Sequence, residues 1–300
     1  MATTRDYIKI HFIVFLWGFT AILGKLITIP SVEMVFYRTI LAAVGIALVM
    51  LFKKGLFKIE RVEIFQLILT GFIVSAHWIT FFGAARLSNV SVSLVGFATA
   101  SLWTAILEPV LSRNRIKGYE VFLGCAVIVG IIIIFTFDFS YRLGFIVGII
   151  SGFLVSIFSI INSKAVKRIN PYTITFYEMA GAAVGTALFL PFYKEFMATG
   201  GTLKLIPTGL DWFYIAILAL VCTVYAFTVM VEIMKRVSVF FIQLSVNLEP
   251  VYGIIMALLI FQEKERMKGN FYAGTLVILG AVLLYPYLKR KFDKPLVSNN

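Results

Sequence analysis

Apolar residues fill ten stretches of the chain almost without interruption, near 8–27, 33–52, 64–84, 91–111, 118–136, 143–162, 172–191, 212–231, 238–260 and 269–288, and polar residues gather between them. A run of about 20 apolar residues crosses roughly 30 Å of hydrocarbon as a helix. Barrel staves alternate in and out over about ten positions, and these runs do not, so strands are excluded. In lipid each backbone N–H and C=O must be bonded within its own segment, which makes every continuous apolar span a helix. The pattern predicts an all-α integral membrane protein with ten transmembrane helices.

Composition agrees: 60% of residues are hydrophobic and 14% charged, with a mean hydropathy of +0.96. A soluble domain of this length does not have that make-up. The net charge of +12 reads as topology. With the N-terminus in the cytoplasm, 18 of the 27 Lys and Arg, from Arg5 and Lys9 to Lys289 and Lys294, fall on the inner side. Arg86, Arg142, Lys194, Lys204, Lys264, Arg266 and Lys268 fall outside, and Lys25 and Arg38 lie in or near spans. The positive-inside bias therefore places a multi-pass protein in the cytoplasmic (inner) membrane with both termini cytoplasmic. No basic stripe with interleaved aromatics occurs on a soluble segment, which argues against nucleic-acid binding. The first run is too long for a signal-peptide core, so it is kept as a span. Cys125 and Cys222 both fall in spans and are expected to pack rather than to pair.

The chain also repeats itself. "FYRTILAAVGIAL" from Phe36 to Leu48 returns as "FYEMAGAAVGTAL" from Phe176 to Leu188. "NVSVSL" at Asn89 is followed later by "RVSVFF" at Arg236, and "LGCAVIVG" ending at Gly130 by "AGTLVILG" ending at Gly280. These echoes divide the chain into two five-helix repeats, 1–137 and 138–300. Because five is odd, the second repeat enters the membrane from the opposite side, and the halves are inverted about an axis in the membrane plane. Many secondary transporters are built this way, since exchanging the conformations of two similar halves opens one central site to each face in turn.

Trp17-Gly18 with Lys25 in the first span, "FYR" in the second, and "NLEPVYGIIMALLIFQE" from Asn247 to Glu263 resemble the drug/metabolite transporter (DMT) superfamily, specifically its EamA-type members. The resemblance covers nearly the whole chain as two EamA repeats. The chain departs from the family pattern in "FQE", where a Gly often precedes the Glu, and in the shortened "LEPVLSRNRIKG" of the first copy. The resemblance implies a ten-helix inner-membrane carrier that exports amino acids or other small metabolites along a pathway between the repeats.

Arg38 is the side chain that most needs explaining, since it sets a permanent cation in the second span. It falls about 7 Å outward of the span centre. It could snorkel to the outer headgroups or pair with Glu33; alternatively it faces the interior and binds an anionic group such as a substrate carboxylate. Glu178, its counterpart in the second repeat, falls about 5 Å inward, so the two are expected to guard opposite ends of one cavity without touching. Glu249 lies near the middle of its span before Pro250, whose missing N–H frees carbonyls there. Glu249 and His77 are the candidates to carry H+ through the cycle, although a lone imidazole in a bundle is more often a packing residue. Trp17, Tyr37, Trp78, Trp103, Tyr177 and Asn247 complete the expected substrate-binding set, with helix packing as their plainer role. Trp212, Tyr214, Tyr285 and Tyr287 read as an interfacial belt. Gly45 and Gly185, equivalent in the two repeats, are expected to permit close helix approach.

No His-Glu-x-x-His motif occurs, and "GFTAILGKL" at Gly18 misses the phosphate-loop spacing and lies inside a span. With two His and two Cys, dispersed, a metal centre is not expected. The chain therefore reads as a non-enzymatic secondary transporter without a cofactor, partnered by membrane lipids, a small-molecule substrate and H+. A receptor or scaffold that binds without translocating is the rival reading.

Overall fold

A computed structural model describes residues 2–52, 58–88, 90–134, 141–249, 251, 252, 256 and 269–293. Pro250, Asn89, the Phe261–Glu263 segment, Lys53, Lys54, Lys264, Arg266, Lys268 and Lys294 lie outside these residues, as does the side chain of Lys25.

Every long element among the described residues is a helix. In order come α1 (Thr4–Leu26), α2 (Ser31–Phe52), α3 (Arg61–Leu87), α4 (Val90–Ala98), α5 (Ala100–Leu111), α6 (Gly118–Ile134), α7 (Arg142–Ala165), α8 (Pro171–Phe196), α9 (Gly209–Ala216), a π-helical segment (Ile217–Tyr225), α10 (Ala226–Ile233), α11 (Val239–Val246) and α12 (Gly269–Phe292). Eight of the expected spans are helices long and apolar enough to cross a membrane among the described residues. The fifth is a shorter apolar helix, and the ninth is described only in its first half. Two spans are subdivided. The fourth breaks between α4 and α5 at Thr99, whose N–H and hydroxyl both return to the Gly96 carbonyl, at 3.2 and 2.7 Å. The eighth passes from α through π to α geometry.

Local chemistry explains the helix starts. Thr3 and Asp6 form a reciprocal capping box on α1, as do Thr208 and Asp211 on α9. Asn170 caps α8 ahead of Pro171, which needs no amide partner at that position. Asp211 also reaches across to the turn between α1 and α2, accepting from Thr28 N and Thr28 Oγ1 at 2.7 Å each, besides Thr208 N at 2.9 Å. Replacing this buried carboxylate strands three donors together, so Asp211→Ala is expected to cost on the order of 3 kcal/mol, read as a lowered thermal midpoint of the purified protein.

Packing mixes the two halves. α3 lies along α7 and α8, α4 along α7, α6 along α12, and α2 along α8 and the π segment. Pairing the third span with the seventh and the second with the eighth is what a two-repeat architecture produces, since one pair maps onto the other when the halves exchange. Glycine sets the closest approaches. A Cβ on Gly71 would stand 2.3 Å from the Glu178 carbonyl oxygen, and one on Gly181 2.3 Å from that of Ile68. Gly96 meets the backbone of Gly148 in the same way. Without a hydrophobic drive between helices in lipid, such small-residue seams let dispersion and packing hold the bundle. Gly45 and Gly185 meet side chains instead, Leu220 and Phe72. One buried apolar cluster, including Ile13, Val74, Phe158, Met179, Leu218 and Phe240, runs through both halves. Leu51, Val62, Phe122, Ile132, Leu188 and Leu283 stand exposed around the outside, as lipid contact requires.

Two expectations are corrected. Tyr285 is not in an exposed belt: its ring stacks on Phe241, its hydroxyl meets Ser238 Oγ at 3.0 Å, and it is buried. Cys125 is exposed, because α6 turns that side outward, whereas Cys222 is buried.

Candidate functional site

A cavity of about 70 Å³ opens between the halves, lined from the first repeat by Trp17, Thr20, Arg38, His77, Trp78 and Phe97 and from the second by Phe158, Asn162, Cys222, Gln243 and Glu249, among others. Its walls are mostly aromatic and aliphatic, with a few polar groups aimed inward, the usual make-up of a small-molecule site. At this volume it holds several waters.

Arg38 projects inward and is 3% exposed. Its guanidinium carbon sits 4.0 Å from the centroid of the Trp78 ring, a cation–π contact that partly replaces lost hydration. Nε donates to Thr223 Oγ1 at 3.0 Å. Among the described residues no carboxylate lies within 4.0 Å of it; Glu33 instead accepts from the Lys204 amide. The snorkelling alternative does not describe this side chain.

The π segment supplies the groups that hold this corner together. Hydrogen bonds in a π-helix run to the fifth residue back, and Thr223 Oγ1 follows suit, donating to the Leu218 carbonyl at 2.8 Å while it receives Arg38. One residue earlier, the Cys222 carbonyl accepts Trp17 Nε1 at 3.0 Å. The irregular helix of one repeat thus grips one side chain from each of the first two spans of the other. Thr223 and Cys222 were missed by sequence reasoning; the only signal was a threonine inside an apolar run.

His77 lines the cavity with its ring set among Phe81, Phe97 and Phe158. Nδ1 lies 2.9 Å from Ser151 Oγ and 3.1 Å from the Ser151 carbonyl. A neutral imidazole suits that setting, donating from one nitrogen. Glu249 is 4% exposed and lines the same cavity. No ion pair joins it to Arg38 within 4.0 Å among the described residues.

The other predicted residues stand back from the lining. Tyr37 donates to the Leu205 carbonyl at 2.6 Å and packs on Trp212. Trp103 packs on Phe153, Tyr177 on Phe176, and Asn247 donates to Ser101 Oγ at 3.0 Å. Glu178 is fully buried behind the wall, accepting from Asn162 Nδ2 at 3.1 Å, and makes no ion pair with Arg38 within 4.0 Å. Asn162 and Gln243, by contrast, reach the cavity.

Outside the spans, Lys117 at the start of α6 pairs with Asp293 beyond α12. Burial pushes the Asp293 carboxyl up, but hydrogen bonds from Lys117 and Tyr119 outweigh it and hold it below its ordinary range.

The EamA-like transporter family model matches the chain twice, over residues 7–136 and 142–286. An uncharacterized transporter of Bacillus subtilis (strain 168), YxxF, is 21% identical over 258 residues, spanning 83% of this chain and 79% of the relative. A solved crystal structure of a protein superposes with a TM-score of 0.77 at 15% identity, covering 97% of this chain and 100% of that one, which shows a shared fold. Apolar helices in two mingled halves, a polar-spotted cavity between them, and a family match over each half agree: the chain belongs to the EamA-like transporter family, a family of membrane transporters in the drug/metabolite transporter superfamily.

Proposed function

We propose that this protein exports a small metabolite bearing a carboxylate, an amino acid or a related compound, across the cytoplasmic membrane by alternating access between two inverted five-helix halves, with both termini in the cytoplasm. The observation that carries the reading is Arg38, buried at the cavity wall, stacked on Trp78 and without a carboxylate partner among the described residues. A guanidinium so placed is preset for an incoming anion, because binding replaces solvation already given up. Trp17 and Trp78 offer flat apolar faces to the rest of the substrate. Glu249 supports proton coupling, since it faces the same space and can take up H+ when the site is empty.

Transport by proteoliposomes of a labelled pool of amino acids, nucleosides and organic acids, with and without a pH gradient, tests this. Gradient-dependent, saturable accumulation of a carboxylate-bearing compound is the expected result. Binding without flux across sealed vesicles would favour the receptor reading. In Glu249→Gln the pH gradient is expected to lose its effect while exchange of substrate down its own gradient persists; unchanged coupling in that variant removes Glu249 from the proton path.

A further inference from the structure

The cavity contains a second polar cluster, separate from Arg38, on the last turns of α7. Ser159 and Asn162 are three residues apart on that helix and share one face, and both line the cavity beside Gln243 of α11. The two amides spend a donor on protein: Asn162 Nδ2 reaches Glu178 Oε2 at 3.1 Å, and Gln243 Nε2 reaches Ser159 Oγ at 2.8 Å. What remains is lopsided. Asn162 Oδ1, Gln243 Oε1 and Glu178 Oε1 are all buried with no hydrogen-bond partner among the described residues. Among the described residues no basic side chain pairs with Glu178, and Asn162 donates to it.

We propose that Asn162 and Gln243 at the cavity wall, backed by the Glu178 carboxyl behind Asn162, form a binding site for one small cation, either the primary ammonium of the substrate or a sodium ion. An ammonium has N–H donors and no acceptor, which suits wall amides whose side-chain oxygens lack donors. Sodium takes the same hard oxygen ligands. Either charge gives the ionised form of Glu178 the partner that a buried charge requires. Arg38 is excluded from that role, since it makes no ion pair with Glu178. The site therefore divides the cavity by charge, with an anion receptor at Arg38 and a cation receptor at Asn162. This reading rests on the cavity being the transport site.

Thermal unfolding of the purified full-length protein in detergent, at constant ionic strength in sodium, methylammonium or choline chloride, provides the test. Choline is too bulky and has no N–H to donate. Sodium or methylammonium is expected to raise the midpoint saturably above choline. Glu178→Gln and Gln243→Leu are each expected to weaken the effect at least tenfold, while Phe122→Leu on the exposed face of α6 retains it; Gln243→Leu leaves Glu178 intact, so the test survives if the other variant does not fold. A response to sodium alone assigns an inorganic ion, and one to methylammonium alone assigns the ammonium of the substrate. Equal midpoints in all three salts, or an undiminished effect in both variants, overturn the site. Because the readout is binding rather than flux, an absent cation effect beside intact transport defeats this proposal only, and cation binding without any flux defeats the transporter reading only.

Discussion

Arg38→Ala is expected to reduce uptake of the carboxylate-bearing substrate by between about tenfold and about a hundredfold, because a charge-assisted hydrogen bond to a buried anion contributes about 1.5–3 kcal/mol. The loss should appear in substrate affinity, measured by competition in proteoliposomes. Arg38→Lys keeps the charge but gives up the planar fork and the flat face against Trp78, so it is expected to recover only part of the loss. Thr223→Val separates orientation from charge. It removes the hydroxyl that receives Nε at 3.0 Å while leaving the guanidinium in place, and an intermediate affinity is expected. If Arg38→Ala transports as well as the parent, in a sample that remains monodisperse, Arg38 is a packing residue and the anion receptor lies elsewhere.

The second large effect is structural. Gly181→Ala would drive a methyl to 2.3 Å from the Ile68 carbonyl oxygen and 2.8 Å from its Cα, both backbone atoms. Neither can turn aside as a side chain tip would, so α3 and α8 must separate along their whole contact. The expected cost is about 3 kcal/mol or more, seen as a sharply lowered thermal midpoint or as loss of monodisperse protein. Gly83→Ala in α3 is the matched comparison, since nothing lies within 4 Å of its added methyl. There the change is expected to be neutral or stabilising by up to about 1 kcal/mol. Equal behaviour of the two variants would mean that the glycine seam does not hold the bundle.

Element positions were readable from hydropathy because the bilayer imposes one length and one composition on every span. α7 begins at Arg142 and α2 ends at Phe52, within a residue or two of where the apolar runs begin and end. α8 is the clearest exception. It continues to Phe196, past Pro191, with Lys194 in its last turn. The facing of side chains was much less readable. In a soluble helix the polar side declares itself, but here the lipid-facing and core-facing sides are both apolar. Successive helical residues point about 100° apart, so Arg38 enters the cavity while its neighbour Tyr37 bonds to the Leu205 carbonyl. The same rotation separates Glu178 from Tyr177. Polar residues inside spans were the best guide, and Arg38, His77 and Glu249 do meet at one cavity. Gln243 was overlooked because an isolated amide among apolar letters looks like helix glue. The π segment leaves no mark in composition at all, since Ile217–Tyr225 has no Gly or Pro.

Of the four tryptophans in the chain, Trp17 and Trp78 line the cavity, whereas Trp103 packs on Phe153 and Trp212 on Tyr37. Indole emission shifts with the polarity and charge around the ring, and Trp78 lies directly beneath the Arg38 guanidinium. An anion drawn to Arg38, or water entering the cavity, changes the field on two of the four emitters. The unlabelled protein thus has a built-in optical gauge of what occupies its centre, readable before any substrate has been named.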